Sequence, residues 1–360
     1  MNKRKRIAIL TSGGDCSGLN AAIRAATLRA INHYGWEVLG VQRATQGLMN
    51  HPPDVVELTV EKVNSILTMG GTFLGTANQG NPFAFKLPDG SIENRSAAIG
   101  EAYRTLGLDA LIGIGGDGSI SILEKLAEEH GINLVTIPKT IDNDVDVTEW
   151  AVGFHTAVNI ATEALDRLHF TAASHSRVMI LEVMGRDAGH IAISAGIAGG
   201  ADVILIPEIP YSMDHICEKI AQQQRQGKNY CLIIVSEAVK TEEGEPITCS
   251  NASEKARYGG IGNYLADRIA ECNGAETRVM VLGHLQRGGI PSPMDRLIAS
   301  AFGVAAVDLI AQEKFNRMVA WQNRQVIDIP ILDAIRQYRP VDREGTVAKT
   351  ARGLGIYLGD

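Results

Sequence analysis

The loop at residues 138–144 brings together groups that can activate a hydroxyl group for attack. It reads P-K-T-I-D-N-D and follows an apolar run, so it holds two carboxylates, a hydroxyl and a cation within seven positions. Such a set can orient an alcohol and take its proton while a group is transferred to it. A turn that caps the next helix would need only one of the aspartates. The pattern therefore favours a chemical role for this loop.

Two glycine-rich turns each join an apolar run to a helical pattern. Residues 13–18 read G-G-D-C-S-G, and residues 113–118 read G-I-G-G-D-G. Exposed backbone N–H groups and the dipole at the start of a helix attract phosphate. A single turn of this kind is more often only a tight strand-to-helix bend that needs glycine. These turns are nevertheless where a phosphate-binding site should be sought.

The second turn also matches the G-x-G-x-x-G pattern of dinucleotide-binding proteins, so an oxidoreductase with a nicotinamide or flavin cofactor is an alternative. Against it, Asp117 lies inside the turn, where its carboxylate would repel a pyrophosphate unless a divalent cation stood between them. A magnesium–nucleotide complex fits this turn better. The turn is not a P-loop, because Ser119 stands where that motif requires lysine.

Parallel strands that alternate with helices are expected to position these loops. Short apolar runs followed by helical patterns recur at residues 7–10, 111–114, 134–137, 178–183, 203–206, 232–235 and 279–282. Such runs are typical of buried parallel strands. Their order predicts an α/β protein with two similar, doubly wound, mainly parallel sheet domains. Open sheets bind ligands beyond the carboxyl ends of their strands, and we expect the active site in the cleft between the domains.

Composition sets the class of protein and argues against several partners. The 360 residues are 45% hydrophobic and 21% charged, which suffices for two cores. A net charge of −7 provides no basic surface for nucleic acid or an anionic membrane, and no apolar run is long enough to span a bilayer. The five cysteines are widely spaced and odd in number, which favours a reducing, cytoplasmic location over a disulfide scaffold.

Five motifs in order make the chain resemble the phosphofructokinase family. They are G-G-D-C-S-G-L-N at 13–20, G-G-D-G-S at 115–119, P-K-T-I-D-N-D at 138–144, M-G-R at 184–186 and G-H-L-Q-R-G-G at 283–289. The resemblance implies a glycolytic kinase that transfers the terminal phosphoryl group of ATP to the 1-hydroxyl of fructose 6-phosphate. It also implies Mg²⁺ as the metal ion.

The same resemblance implies roles for individual residues. Asp142 is the expected general base, Thr140 and Arg186 are expected to stabilise the phosphoryl group in transfer, and Asp117 is expected to hold Mg²⁺. The positions that match nucleotide contacts of the family are Gly13, Gly116, Asp117, Gly118 and Ser119. The positions that match its sugar-phosphate contacts are Thr140, Ile141, Asp142, Arg177, Met184, Gly185, Arg186, Glu237, Arg278, His284 and Arg287.

The expected site is complete only in an oligomer. In the family the 6-phosphate is clamped by histidine and arginine side chains, here His284 and Arg287, with Arg177 and Arg278 supplied by a neighbouring subunit. A homotetramer, or at least a homodimer, is implied. The implied domains are residues 1–152 with 287–336 for the nucleotide, and residues 153–286 with 337–360 for the sugar phosphate.

Two positions give opposite indications about the phosphoryl donor. Gly118 resembles the nucleotide-using members, because glycine leaves room for the α-phosphate and the nucleoside. Lys139 resembles the members that use pyrophosphate, although its charge is compatible with either donor. Gly118 favours ATP. A pyrophosphate-dependent fructose 6-phosphate phosphotransferase is the alternative, and a nucleotide sensor without turnover is a further one.

Overall fold

The computed structural model describes residues 4–77, 80–249 and 257–360. The strands in these ranges are β1 (Arg6–Thr11), β2 (Glu37–Val41), β3 (Val55–Glu57), β4 (Phe85–Lys86), β5 (Ile92–Glu93), β6 (Ala110–Gly115), β7 (Leu134–Thr140), β8 (Val152–Gly153), β9 (Val178–Val183), β10 (Val203–Leu205), β11 (Cys231–Ser236), β12 (Thr248–Cys249), β13 (Arg257–Tyr258), β14 (Thr277–Val281), β15 (Arg317–Gln322) and β16 (Gln325–Pro330). The helices are α1 (Leu19–Tyr34), α2 (Thr45–Met49), α3 (Val60–Asn64), α4 (Ser96–Thr105), α5 (Asp117–His130), α6 (Phe154–His175), α7 (His190–Ala198), α8 (Met213–Arg225), α9 (Ile261–Asn273), α10 (Pro293–Ala311), α11 (Ile331–Ala334) and α12 (Thr346–Gly353).

The seven apolar runs of the sequence all form strands, namely β1, β6, β7, β9, β10, β11 and β14. Six of them are buried along nearly their whole length. The prediction of a buried strand was wrong for β14, whose residues are mostly exposed. The reason is its place at the edge of a sheet, where it pairs only with β9 and leaves its other side open. No helix in the described ranges combines the length and the apolar character needed to cross a membrane.

The chain divides into two compact units, each assembled from three segments. The first unit holds Met1–Thr140, Val145–Thr156 and Arg287–Tyr338. The second unit holds Ile141–Asp144, Ala157–Gln286 and Arg339–Asp360. The four residues that follow β7 thus belong to a different unit from β7 itself, which the sequence did not indicate.

The first unit is built on an eight-stranded sheet with the order β16-β15-β7-β6-β1-β2-β3, in which β8 pairs with β7. Its central strands are parallel, and antiparallel pairs close both edges. Leu10, Leu123 and Leu134 are among the buried side chains of its core. On the sheet, α1 packs against α10 so closely that a Cβ atom on Gly303 would lie 2.6 Å from the Ala22 carbonyl oxygen.

The second unit is built on a four-stranded parallel sheet with the order β10-β11-β9-β14. Buried residues of α8 and α9, such as Ile216 and Ile269, pack in its core. A disulfide joins Cys217 of α8 to Cys272 of α9, with 6.6 Å between the Cα atoms. The count and spacing of the cysteines argued against disulfides, and for this pair that expectation was wrong, because 55 residues separate the two and only the packing of the helices brings them together.

Candidate active site

Three adjacent strand ends in the first unit carry the residues predicted to contact a nucleotide. Strands β1, β6 and β7 are neighbours and run parallel. Beyond their carboxyl ends lie the turn at residues 12–18 and the start of α5 at Gly116, while β7 itself ends with Lys139 and Thr140. Because parallel strands end at one edge of a sheet, both glycine turns and the Lys139 cation are brought to the same place.

The two glycine turns of this edge touch each other at Gly13 and Ser119. Gly13 has a φ of +82°, and a Cβ atom there would lie 2.8 Å from Ser119 Oγ. The backbone N–H of Ser12 donates to the Ile114 carbonyl oxygen at 2.9 Å, which ties the first turn to β6. Any side chain at position 13 would therefore be both strained and blocked. The structure brings together these two predicted nucleotide contacts.

Two cationic side chains donate hydrogen bonds to carbonyl oxygens of the first glycine turn. Lys139 is only 4% exposed, and its Nζ donates to the Gly14 carbonyl oxygen. Arg287 donates from Nη1 to the Asp15 carbonyl oxygen at 3.1 Å, and a Cβ atom on Gly14 would lie 2.5 Å from the same nitrogen. Arg287 was predicted to contact the sugar phosphate, yet the contact it makes here is with the glycine turn of the first unit. Two positive charges beside exposed backbone N–H groups favour a polyphosphate at this turn.

The start of α5 supplies the remaining nucleotide candidates. Gly116 precedes the helix in an extended conformation, and Asp117 lies in its first turn. The backbone N–H groups of such a first turn have no partner inside the helix and attract anions. Gly118 is exposed, and a Cβ atom on it would meet no atom within 4 Å. Position 118 therefore borders open space, and the fold itself would accept a larger residue there.

Asp117 is the candidate ligand for a metal ion. Within the described parts of the chain, no group of three or more histidine, cysteine, aspartate or glutamate side chains is arranged to hold a metal. Mg²⁺ that arrives with a nucleotide takes most of its ligands from phosphate and water, and needs only one or two protein carboxylates. A single carboxylate in a glycine-rich turn at the start of a helix therefore fits a magnesium–nucleotide complex rather than a resident metal centre.

The ends of two neighbouring strands in the second unit carry the M-G-R motif and Glu237. Strands β9 and β11 pair in parallel up to Val183 and Ser236, and the two candidate segments follow directly. The backbone N–H of Arg186 donates to Glu237 Oε1 at 3.1 Å. Gly185 has a φ of +153°, and a Cβ atom there would lie 2.4 Å from the Ala188 carbonyl oxygen. Glycine is thus required at 185, and its turn is held against Glu237.

Glu237 is a carboxyl group whose ionisation is disfavoured. Burial raises its pKa to about 7, a change that the donated N–H of Arg186 opposes and the negative charge of Asp142 increases. Asp142 belongs to the second unit and is 7% exposed. The predicted base and the predicted sugar-binding carboxylate are therefore electrostatically coupled, as is common at functional sites.

Thr140 and Ile141 stand on either side of the point where the chain changes units. Thr140 is the last residue of β7 and is counted with the first unit, whereas Ile141 is counted with the second. Both side chains are buried. These two predicted sugar-phosphate contacts are therefore buried at the point where the chain passes between units.

Gln286 is a buried residue bonded to the M-G-R motif that the sequence reasoning did not single out. Its buried side chain accepts the Met184 N–H through Oε1 at 2.8 Å, and among the described residues its Nε2 has no partner. The buried amide therefore fixes the backbone at the start of the M-G-R motif. His284 lies two residues earlier in the same short 3₁₀ turn and is exposed. The signal for Gln286 was its place inside the motif at 283–289.

Arg177 and Arg278 lie away from the M-G-R motif and Glu237 of the same unit. Arg177 directly precedes β9, and Arg278 pairs with the second residue of that strand. Both guanidinium groups contact Glu276 Oε1, at 2.8 and 2.5 Å. Six strand residues span roughly 20 Å, so this arginine pair stands at the opposite end of β9 from Arg186. One copy of the second unit does not bring the two groups together.

Comparisons with known proteins agree with these features. The chain matches the family described as Phosphofructokinase over residues 6–310. It is 67% identical to the ATP-dependent 6-phosphofructokinase 1 of Nostoc sp. and 64% identical to the protein of the same name from Synechocystis sp., over 360 residues and all of each chain. The solved phosphofructokinase of Saccharomyces cerevisiae is similar with a TM-score of 0.78 and 30% identity, over 92% of this chain and 45% of that one. The chain therefore belongs to the phosphofructokinase family, as its five motifs predicted.

Proposed function

We propose that this protein is an ATP-dependent 6-phosphofructokinase of glycolysis. It transfers the terminal phosphoryl group of ATP to the 1-hydroxyl of fructose 6-phosphate and releases fructose 1,6-bisphosphate and ADP. The observation that carries this proposal is the meeting of two glycine turns and the buried Lys139 cation at one edge of the first sheet. The relatives from Nostoc sp. and Synechocystis sp. carry this function in their names.

The first unit is proposed to bind the nucleotide. Gly13, Gly116 and Ser119 would contact its phosphates, and Asp117 would hold Mg²⁺. The ion would neutralise charge on the phosphates when bound. Gly118 supports ATP over pyrophosphate, because the open space beside it can take the rest of a nucleotide. Pyrophosphate is the second candidate donor on account of Lys139, although the contact of Nζ with the Gly14 carbonyl gives that lysine a role in holding the turn.

Residues of the second unit, with Thr140 and Arg287 of the first, are proposed to bind the sugar phosphate. Asp142 would take the proton of the 1-hydroxyl, while Arg186 and Thr140 would stabilise charge on the phosphoryl group as it moves. The remaining sugar contacts are proposed for Ile141, Met184, Gly185 and Glu237, with His284 and Arg287 on the 6-phosphate. A carboxylate such as Glu237 accepts hydroxyl hydrogens strongly, which suits the recognition of a sugar.

A homotetramer, or at least a homodimer, is proposed as the active form. Arg177 and Arg278 are the expected partners of the 6-phosphate, and their place at the far end of β9 from Arg186 supports a contribution to the site of a neighbouring subunit. We also propose a cytoplasmic location, where the substrates of glycolysis are found. Small phosphorylated molecules, and neither nucleic acid nor membrane, are the proposed ligands.

Steady-state kinetics of the Asp142→Ser variant test the proposal. The wild type should convert fructose 6-phosphate with Mg²⁺ and ATP, and the variant should lose roughly 10²- to 10⁴-fold in kcat, as for a missing general base. Asp146→Ser, in the segment that follows the motif, is the matched control and should retain wild-type turnover. Near-normal turnover of Asp142→Ser would remove Asp142 from this role, and faster turnover with pyrophosphate would reverse the donor assignment. Nucleotide binding without any turnover would identify a sensor.

A further inference from the structure

Asp295 is a fully buried carboxylate at the start of α10, in the first unit. Its Oδ1 accepts the Gly153 N–H at 2.9 Å, and its Oδ2 accepts the Thr156 N–H at 2.7 Å and the Thr156 hydroxyl at 2.5 Å. The Ser292 hydroxyl approaches the same oxygen at 3.4 Å. A buried charge with this many charge-assisted bonds fixes its partners firmly, and here it also caps the first turn of α6.

The groups that Asp295 holds are joined directly to the candidate phosphate site. Gly153 and Val152 form β8, which pairs with Thr140 and Lys139 of β7 in register. The Val152 carbonyl oxygen also accepts the Cys16 thiol hydrogen at 3.3 Å, inside the first glycine turn.

The end of the same glycine turn, at Gly18, also lies against β8 and Asp295. A Cβ atom on Gly18 would lie 2.8 Å from Val152 Cγ1 and 3.6 Å from Asp295 Cβ. A side chain at position 18 would therefore push against Val152 of β8, while Asp295 lies within ordinary van der Waals contact. One carboxylate thus supports the end of β7 and the turn at residues 13–18 through the short strand β8.

We infer that Asp295 is a positioning residue for phosphoryl transfer, which acts on Lys139, Thr140 and the glycine turn through β8. This inference rests on the proposed function, because it assigns those residues to the phosphoryl donor. Asp295 lies outside the five motifs of the sequence. Its effect comes from geometry: a displacement of about 1 Å at a reacting group can cost about 10²-fold in rate even when the substitution is remote.

Kinetics of Asp295→Asn test this role. The amide keeps one acceptor oxygen, but its NH₂ group must face the N–H of either Gly153 in β8 or Thr156 in α6, so one of these two bonds beside β7 is lost and a buried donor is left unsatisfied. We expect kcat/KM for ATP to fall roughly 10- to 100-fold. The concentration of fructose 6-phosphate at half saturation should change less than about twofold, because its proposed contacts lie mainly on other segments.

Asp308→Asn is the matched control on the same helix. Asp308 accepts bonds from the Arg29 guanidinium at 2.8 and 3.2 Å and from the Tyr34 hydroxyl at 3.0 Å, near the far end of α10. Its substitution should lower the temperature of unfolding while leaving both substrate dependences close to wild type. If Asp295→Asn behaves in the same way, Asp295 only stabilises the fold and the inference is overturned.

Thr156→Val provides the test should Asp295→Asn fail to fold. It removes the hydroxyl that bonds Asp295 and also accepts the Ser292 N–H at 2.9 Å, while the backbone bonds of Asp295 remain. We expect a smaller loss in the same parameter, kcat/KM for ATP, and wild-type values there would overturn the inference. A wild-type protein that does not use ATP and fructose 6-phosphate would instead refute the proposed function.

Discussion

Replacing Glu237 with glutamine should stabilise the unliganded protein above neutral pH and weaken its use of the sugar phosphate. Glu237 lies at the end of β11, where burial is the main cause that raises its pKa from 4.5 to about 7. Folding therefore forces a charge into a poorly solvated place whenever the pH is high enough to ionise the group. Glutamine keeps the shape and the acceptor oxygen but carries no charge.

The size and sign of the effect follow from the two pKa values. A carboxyl group with a raised pKa binds its proton more tightly in the folded state, so its contribution to stability is greatest below the unfolded value of 4.5 and is lost as the pH rises to about 7. The difference of two to three pKa units corresponds to about 3 kcal/mol in the free energy of unfolding. Between about pH 5 and pH 8, Glu237→Gln should gain about 2 to 3 kcal/mol relative to wild type.

Thermal unfolding of both proteins without ligand, across this pH range, measures the effect. The advantage of Glu237→Gln in unfolding temperature should grow with pH by several degrees, since about 1 kcal/mol shifts a unit of this size by roughly 2–4 °C. Glu245→Gln, an exposed glutamate of the same unit, is the control and should show no such growth. An advantage that stays constant or shrinks with rising pH would refute the assignment of burial as the cause.

The same Glu237→Gln variant should bind fructose 6-phosphate less well than the wild type. If the Glu237 carboxylate accepts sugar hydroxyls, its replacement by a neutral amide removes charge-assisted bonds and should raise the KM for fructose 6-phosphate about 10-fold or more. The KM for ATP should not change, because the proposed nucleotide contacts lie on other strand ends. An unchanged KM for the sugar phosphate would show that Glu237 does not touch the substrate.

Three further substitutions test other features. Gly118→Asp should leave the unfolding temperature unchanged, because no atom lies within 4 Å of the new Cβ. Its carboxylate should repel the phosphates of ATP and lower kcat/KM for ATP at least about 10-fold, so a wild-type rate with ATP would contradict this prediction. Glu276→Gln should lower the half-saturating fructose 6-phosphate concentration about two- to fivefold, because a phosphate no longer has to displace the Glu276 carboxylate from Arg177 and Arg278. An unchanged saturation curve would disprove this prediction. Cys272→Ser should lower the free energy of unfolding by about 2–4 kcal/mol through loss of the disulfide to Cys217. Equal denaturation curves of the wild-type protein with and without reductant would argue against that disulfide.

Local features of the site were predictable because they depend on neighbours in sequence. The turns at Gly13 and Gly185 have backbone conformations that require glycine. The glycines in the sequence therefore predict where these turns lie. The apolar runs before them were also readable locally, since short runs of four to six apolar residues bounded by glycine turns are typical of strands in a parallel sheet. The motifs therefore indicated which residues lead out of which strand.

Contacts between distant segments were not predictable in this way. The exposure of β14 follows from its place at the edge of its sheet, and the raised pKa of Glu237 follows from burial beside Asp142. The bond of Asp295 to Gly153 joins residues 142 positions apart. No short pattern encodes such a separation, because it results from the order in which strands and helices pack.

The sequence by itself determined the α/β class, the family and the identity of the glycine turns, because each of these depends on residue types within a few positions. Tertiary structure decided which side chains meet: Lys139 with the Gly14 carbonyl, Arg287 with the Asp15 carbonyl, and Asp295 with β8. The physical reason is range. Backbone geometry and hydrophobic periodicity act locally along the chain, whereas burial, charge coupling and hydrogen bonding between strand ends exist only once the sheets have formed.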